Sequence, residues 1–399
     1  MNYNYGAYIE QCVASVLAQS DKDFSVTCID NGSSDGSNLF LRDVCKENGW
    51  KFEEFPNLAI SKIGNYISKT SHEPFITRLD ADDTLCATFV AEVKSAIRSE
   101  DPDIIYGNYH LMDYDGRVFS TQQILPRGKA DDCPIHDEPF HGACTVIRKE
   151  KLLDFGGYYE QFSRNDGYDL YLKFRNEKLH HVSEPLFHYR RGHRSMSQNK
   201  SSLFDARINM ILAYAADQRI SVGDEVCHII ACPNHPNFYS QNRLVGYEKF
   251  AKNWGRNLRL IARDGLTDES GTIPWSAVDR FGDLRSYLDE SSDFEGVDTF
   301  VVHSMNDLLA PLSFFEAAPI AMKLFESNSV ISGIKLESSL YSTVRGGVER
   351  QDDSRVLFNE ERPVLHSGGL TGFQRNENRN GIATLLEISN EMTVEAHWK

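Results

Sequence analysis

Basic residues are in short supply in this chain. Lysine and arginine number 42 against 58 aspartates and glutamates, which gives a formal net charge of −16 and a pI near 5.3. That imbalance removes the drive for nonspecific nucleic-acid binding and for a broad electrostatic grip on anionic membranes. An 18-residue apolar run, a signal peptide and a lipidation motif are also missing, so no integral membrane segment is expected. The eight cysteines, at 12, 28, 45, 86, 133, 144, 227 and 232, include no C-x-x-C pair. Several fall in apolar strand patterns, which predicts buried, reduced thiols and a cytoplasmic setting. A glycine-rich basic loop of the kind that cradles a triphosphate is lacking too, which counts against a nucleotidyltransferase-like domain.

What is present begins with composition. At 399 residues, 41% hydrophobic and 25% charged, the chain is long enough for two cores. Its most telling segment is Asp80-Ala81-Asp82-Asp83, where the apolar strand pattern Phe75-Ile76-Thr77-Arg78-Leu79 gives way to a turn. Two carboxylates two apart at a strand end can converge on one divalent cation, because a bend there lifts the constraint of strand alternation. A lone D-x-D reads equally as a solvated acidic turn, and its neighbours decide between the two.

Upstream, the β-rich run Phe24-Ser25-Val26-Thr27-Cys28-Ile29 leads into Asp30-Asn31-Gly32-Ser33-Ser34-Asp35-Gly36-Ser37. A strand that stops at an Asp and turns through Gly and Ser offers a carboxylate and free N–H groups at its carboxyl end, where open α/β sheets bind ligands. Before it, Ile9, Val13, Val16 and Leu17 fall at helical spacing within Ala7–Gln19, behind Tyr3-Asn4-Tyr5-Gly6. Downstream come His141-Gly142-Ala143-Cys144, then Asn165-Asp166-Gly167-Tyr168-Asp169-Leu170-Tyr171-Leu172-Lys173, then Pro185-Leu186-Phe187-His188-Tyr189-Arg190-Arg191.

Taken in that order, residues 2 to about 198 resemble the inverting family 2 glycosyltransferases of the GT-A fold. The landmarks are the Y-N-Y-G-x-Y-I start, the D-N-G-S-S-D-G-S turn, the R-L-D-A-D-D strand end and the D-G-Y-D-L-Y-L-K helix start. The resemblance implies an α/β fold with a mixed sheet flanked by helices, a nucleoside-diphosphate sugar as donor, a saccharide acceptor and Mn²⁺ or Mg²⁺ as cofactor. It places Tyr3 and Asp30 beside the nucleotide base, Asp80 near the ribose or the metal, and Asp82 on the cation. It implies a general base at Asp166 or Asp169. The family commonly reads E-D-x-D-L there, so Asp166 stands in the place of the usual Glu and Gly167 replaces the usual catalytic Asp. Asp169 is equally explained as capping a helix N-terminus. By the same resemblance His188 or His193 would complete the metal shell, and Arg190 and Arg191 would neutralise the departing diphosphate. A satisfied surface histidine and a solvated basic turn are the plainer explanations of those four residues. Family members open with a buried strand before the Y-N element, and the sequence here starts at Met1-Asn2-Tyr3. The expectation is that this first strand is missing and that the natural start lies upstream.

The second half reads as a faded repeat of the first. Val226–Asn234 supplies an opening strand, 258–268 echoes the turn after Asp30, 300–309 echoes the strand ending in Asp83, and 366–375 echoes 141–148. Asp83 and Thr145 stand 62 positions apart, and Asp307 and Thr371 stand 64 apart. In that alignment Ser304, Asn306 and Arg263 replace Asp80, Asp82 and Asp30, so the copy has lost its metal ligands. No D-G-Y-D-like segment follows it. The expected organisation is a GT-A glycosyltransferase domain over 1–200, a helical linker over 201–223 and a degenerate GT-A-like domain over 224–399.

Two functions follow from these readings. The first is metal-dependent transfer of one sugar to a saccharide hydroxyl in surface polysaccharide or lipopolysaccharide synthesis, by a cytoplasmic protein that reaches a membrane through its acceptor or a partner. The alternative is a catalytically weak carbohydrate-binding or scaffold protein on the same fold. Donor sugar, linkage and oligomeric state depend on loop shapes that sequence patterns do not fix.

Overall fold

The computed structural model describes residues 1–124, 140–191, 200–223, 225–231, 258–262, 273–281, 284–304, 312–324, 329–335, 341–344, 347–350, 364–374 and 383–387. They fall in two compact units, with the described residues up to 191 in the first and those from 200 onward in the second.

In the first unit, α1 (Ile9–Leu17) packs Ile9 and Val13 against α2 (Ser37–Asn48) and buries Cys12 beside the Asp80 carbonyl. The apolar spacing predicts a stripe running on through Leu17, but that side chain is 45% exposed. Cys12 takes its place on the buried face. Strand β1 (Thr27–Asp30) is shorter than the β-rich run of 24–29 because its parallel partner β2 (Lys51–Glu54) first pairs at Thr27. Helix α2 is bracketed by Gly36 and Gly49, both left-handed, where a glycine carries no Cβ penalty. After α3 (Ile60–Thr70) come β3 (Phe75–Ile76), β4 (Thr84–Leu85), α4 (Phe89–Glu100), β5 (Ile104–Met112), β6 (Val118–Gln122), β7 (Val146–Arg148), α5 (Lys149–Asp154), α6 (Asp166–Phe174) and β8 (Leu179–Arg190).

These strands make two sheets, β1-β2 and the mixed six-stranded β3-β7-β5-β8-β4 with β6 beside β5. The core lies between α4 and the β5–β8 pair, with Val90, Val93, Ile105, Val146 and Phe187 at its centre. Met1 and Asn2 link the smaller sheet to the segment after β3. Asn2 bridges Asp30 in parallel register, and the Met1 carbonyl accepts from the Ala81 N–H at 2.9 Å. The chain start is thereby stitched to both acidic segments.

In the second unit, α7 (Lys200–Asp217) covers most of the expected 201–223 helical stretch and packs on a later helix, α10 (Leu312–Leu324). Between them lie β9 (Val226–Ala231), β10 (Leu258–Ala262), β11 (Ile273–Pro274), α8 (Trp275–Asp279), α9 (Leu284–Glu290) and β12 (Thr299–Ser304). Strands β13 (Ser329–Lys335), β14 (Tyr341–Val344), β15 (Gly347–Arg350), β16 (Val364–Gln374) and β17 (Ala383–Glu387) follow α10. The main sheet has the order β11-β10-β9-β12-β16-β13-β17, with only β16 antiparallel to its neighbours. Its centre is apolar and nearly sealed, with Cys227, Ile229, Ile261, Leu288 and Phe300 at its core. Arg263, Asn306 and Asp307 of the faded repeat lie outside the described residues, and Ser304 is the last residue of β12. No helix among the described residues is long and apolar enough to cross a membrane.

Candidate functional site

The acidic loop sits where β3 runs out. Thr77 donates its hydroxyl to the Thr145 carbonyl and the Cys144 N–H donates to the Arg78 carbonyl, so the chain leaves the β3–β7 ladder still anchored to the segment before β7. Arg78 and Asp80, two apart, project on the same side. The guanidinium pairs with Asp80 (Nε to Oδ1, 2.9 Å; Nη2 to Oδ2, 3.1 Å) and reaches Asp166 Oδ2 through Nη1 at 2.5 Å. A tight turn, Asp83 N–H to the Asp80 carbonyl at 3.0 Å, then gathers Asp80, Asp82 and Asp83. Asp82 and Asp83 are buried.

That crowding of negative charge perturbs the groups inside it. Burial, followed by the charges of Asp82 and Asp80, pushes the Asp83 carboxyl well above the usual carboxylate range. Burial and the same two carboxylates raise the Tyr5 phenol, which hydrogen-bonds Asp82. A cluster of oxygen donors whose charges repel one another suits a hard divalent cation, which would offset that repulsion. By the chemistry of its donors the loop suits a hard divalent cation such as Mn²⁺ or Mg²⁺, while Asp80 is paired with Arg78.

Asp166 opens α6, at the end where the helix dipole favours a carboxylate. The backbone around it is packed to the limit. A Cβ on Gly142 would stand 2.5 Å from Asp166 Oδ2, and one on Gly167 would stand 2.0 Å from the Phe140 carbonyl oxygen. No side chain fits at 167, which is why glycine stands where the family pattern has an acid. Asp169 lies one turn on but turns inward. It is 1% exposed, pairs with Lys173 Nζ at 2.6 Å and accepts the Tyr159 N–H at 2.7 Å. Lys173 in turn donates to the Gly157 carbonyl and lies 3.8 Å from the centre of the Tyr159 ring. Asp169 thus joins a buried ion pair rather than capping the helix.

Asp30 shapes its own turn. Oδ1 accepts from Asn2 Nδ2 at 2.8 Å, and Oδ2 accepts from the N–H groups of Gly32 and Ser33 at 3.1 and 2.9 Å. Tyr3 is exposed nearby, with Asn57 Nδ2 at 3.5 Å from its hydroxyl. Arg190 does not reach outward as the sequence suggests. It is 1% exposed and donates to the carbonyls of Asp82, Asp113 and Tyr114 and to Gln11 Oε1, and its guanidinium covers the Tyr8 ring. Its N–H also donates to Asp83 Oδ1 at 2.8 Å, so Arg190 braces the acidic loop from behind. Arg191 is half-buried over the Tyr189 ring. His188 contacts Thr84, Cys86 and His110 instead of the acidic pair. His193 lies outside the described residues.

Sequence reasoning passed over Arg78 and Tyr5. The signal for Arg78 was available, since a cation two residues before Asp80 on a strand must share its face. Nothing in the pattern points to Tyr5, whose contact with Asp82 is a product of the fold.

The mixed sheet with an acidic loop at its strand ends is the arrangement of an α/β ligand-binding domain. More narrowly, residues 1–192 match the sequence model of Glycosyl transferase family 2, and this part of the chain belongs to that family. The chain is 26% identical over 197 residues to the O-antigen biosynthesis protein RfbC of Myxococcus xanthus, covering 47% of this chain and 15% of the relative. It is 23% identical over 218 residues to an uncharacterized glycosyltransferase of Rickettsia felis (52% and 36%), and 25% identical over 121 residues to glycosyltransferase GlyG of Streptococcus pneumoniae (28% and 38%). The chain thus spans well under half the length of these relatives. Among solved structures, S. aureus TarS 1–349 in complex with UDP is similar at a TM-score of 0.40 and 13% identity, covering 91% of this chain and 96% of that one. The mannosyltransferase PcManGT from Pyrobaculum calidifontis, in complex with GDP-Man and Mn²⁺, is similar at a TM-score of 0.42 and 12% identity, covering 54% and 62%.

Proposed function

We infer that residues 1–200 transfer a sugar, with inversion, from a nucleoside-diphosphate sugar to a saccharide hydroxyl, using a divalent cation. The observation that carries this reading is the loop Asp80–Asp83 facing Asp166 across the shared guanidinium of Arg78. Asp82, with Asp80 beside it, holds the cation in this account, and His193 remains a candidate to complete its shell. When bound, the ion supplies Lewis-acid stabilisation of the charge that grows on the leaving diphosphate. Tyr3 and the Asp30 turn take the nucleotide base, and Arg191 faces the diphosphate. The acceptor oxygen attacks the anomeric carbon as the bond to the diphosphate oxygen breaks, and Asp166 takes the acceptor's proton. Arg78 anchors Asp166 through Oδ2, fixing the carboxylate's direction at the mouth of α6.

The setting we assign is cytoplasmic synthesis of surface polysaccharide or lipopolysaccharide, in keeping with the O-antigen role in the name of the RfbC relative. Residues 224–399 are read as a degenerate copy of the first domain. Support comes from strand order. In the second unit β10 and β11 lie on one side of β9, while β12, antiparallel β16, β13 and β17 lie on the other. In the first unit β1 and β2 lie on one side of Met1–Asn2, and β3, antiparallel β7, β5 and β8 follow in the same order.

A panel of nucleotide sugars with Mn²⁺, scored for slow donor hydrolysis, tests the reading without knowledge of the acceptor. Metal-dependent release of a nucleoside diphosphate from one donor is expected. Failure to bind or cleave any donor in the panel would leave the sugar-binding alternative standing in its place.

A further inference from the structure

A second cluster of ligating side chains lies on the same domain and includes none of the carboxylates just described. Strands β5 and β8 run parallel with His110 directly opposite His188, so the two rings stand on one face of the sheet, 5.0 Å apart. Strand alternation sends Phe187 and Tyr189 to the other face, where both pack on Tyr109. Cys86, just past β4, is pinned beside this pair by its N–H bond to the Leu186 carbonyl at 2.9 Å. Its free thiol Sγ lies 3.9 Å from His188 Nδ1. The ligand atoms of Cys86, His110 and His188 all fall within 4.8 Å of one another, and the three side chains are half-buried.

We propose that Cys86, His110 and His188 form a zinc site, distinct from the carboxylate cation site. Zn²⁺ with bonds of about 2.3 Å to sulfur and about 2.0–2.1 Å to nitrogen needs tetrahedral ligand atoms roughly 3.3–3.7 Å apart. The cluster lies about 1 Å wider than that spacing, so binding requires the three side chains to draw together. The flanking residues are those a metal site uses. Thr121, paired with His110 across β5 and β6, bonds His110 Nδ1 through its hydroxyl at 2.8 Å and leaves Nε2 as the ligand atom. A thiolate and two imidazoles select zinc over Mg²⁺ or Mn²⁺, whereas an all-carboxylate loop has the opposite preference. The two sites are therefore separable by chemistry. Three protein ligands leave a fourth position for water. An ion there joins β4, β5 and β8, and so steadies the strand that begins directly after Asp83.

The test is a Co²⁺ titration of the full chain, stripped with chelator under reducing conditions and followed by absorbance. One equivalent of Co²⁺ per chain should give a thiolate-to-cobalt charge-transfer band with tetrahedral visible bands, all removed by stoichiometric Zn²⁺. Cys86→Ser should abolish the charge-transfer band. His110→Gln and Thr121→Val should each weaken zinc affinity, the latter by about tenfold. Asp82→Asn should leave the cobalt spectrum intact, which separates this site from the proposed catalytic cation. Melting curves in chelator, unchanged between Cys86→Ser and the wild type, establish that the variant folds. Absence of the band in the wild type, or its persistence in Cys86→Ser, overturns the assignment.

Discussion

Arg78 reaches Asp166 across 88 positions of sequence, Nη1 to Oδ2 at 2.5 Å, while its other nitrogens hold Asp80. The one guanidinium ties the strand end that carries the acidic loop to the first residue of α6. If Asp166 is the base, Asp166→Asn should lower turnover by about 100-fold or more and leave donor affinity nearly unchanged, because the base acts on the acceptor proton. Arg78→Gln should also slow turnover, and the double variant should fall short of the product of the two single effects, since the arginine works partly through Asp166 and partly through Asp80. Steady-state kinetics on the three variants decides this. A functional Asp166→Asn protein beside a stable, inactive Asp169→Asn protein would move the role to Asp169.

Restoring the family's usual acid at position 167 should fail. With the Phe140 carbonyl 2.0 Å from any added Cβ, Gly167→Asp must displace the backbone of 140–142 that packs on Asp166. A lower melting temperature and lower activity are expected together. A gain in turnover from this variant would contradict the packing account.

Asp169 and Lys173 form a buried ion pair, and breaking one partner leaves the other charged without compensation. Asp169→Ala should therefore cost about 3–5 kcal/mol of unfolding free energy, measured by chemical denaturation. A loss below about 1 kcal/mol would show that the pair is not a structural element of α6.

His141 is half-buried against Tyr109, Phe187 and Tyr189, and its desolvation there holds the imidazole below the usual histidine range. A histidine whose folded value is depressed contributes stability above its unfolded value near 6.5, and that contribution is lost as pH falls toward the folded value. The melting temperature of the wild type should drop on going from pH 7 to pH 5. His141→Phe, which keeps a ring in the stack, should drop less. Equal slopes in the two proteins would remove His141 as the cause.

Much of the first unit was legible because its signals are local. The turn after Asp30, the helix opening at Asp166 and the acidic strand end each announce themselves within about eight residues. The roles of Arg190 and Asp169 were not legible, because both depend on distant partners. Arg190 finds Gln11 and the carbonyls of Asp113 and Tyr114, and Asp169 finds the Tyr159 N–H. Periodicity failed at Leu17 for a related reason. Spacing defines a helix face but not how far along the helix the neighbouring layer extends, and the packing of α1 ends before Leu17. The family resemblance assigns His188 or His193 to the metal shell, yet strand register places His188 with His110 and Cys86.

The central claim is that Asp82 holds the cation on which nucleotide binding depends. Calorimetry of UDP and GDP binding to the full chain in Mn²⁺, with wild type and Asp82→Asn compared, tests it most directly. One binding site per chain that vanishes in Asp82→Asn, while the melting temperature in chelator stays the same, is the expected result. Undiminished Mn²⁺-dependent binding in the variant would contradict the assignment, and a second site that survives the change would mean the copy in residues 224–399 still binds nucleotide.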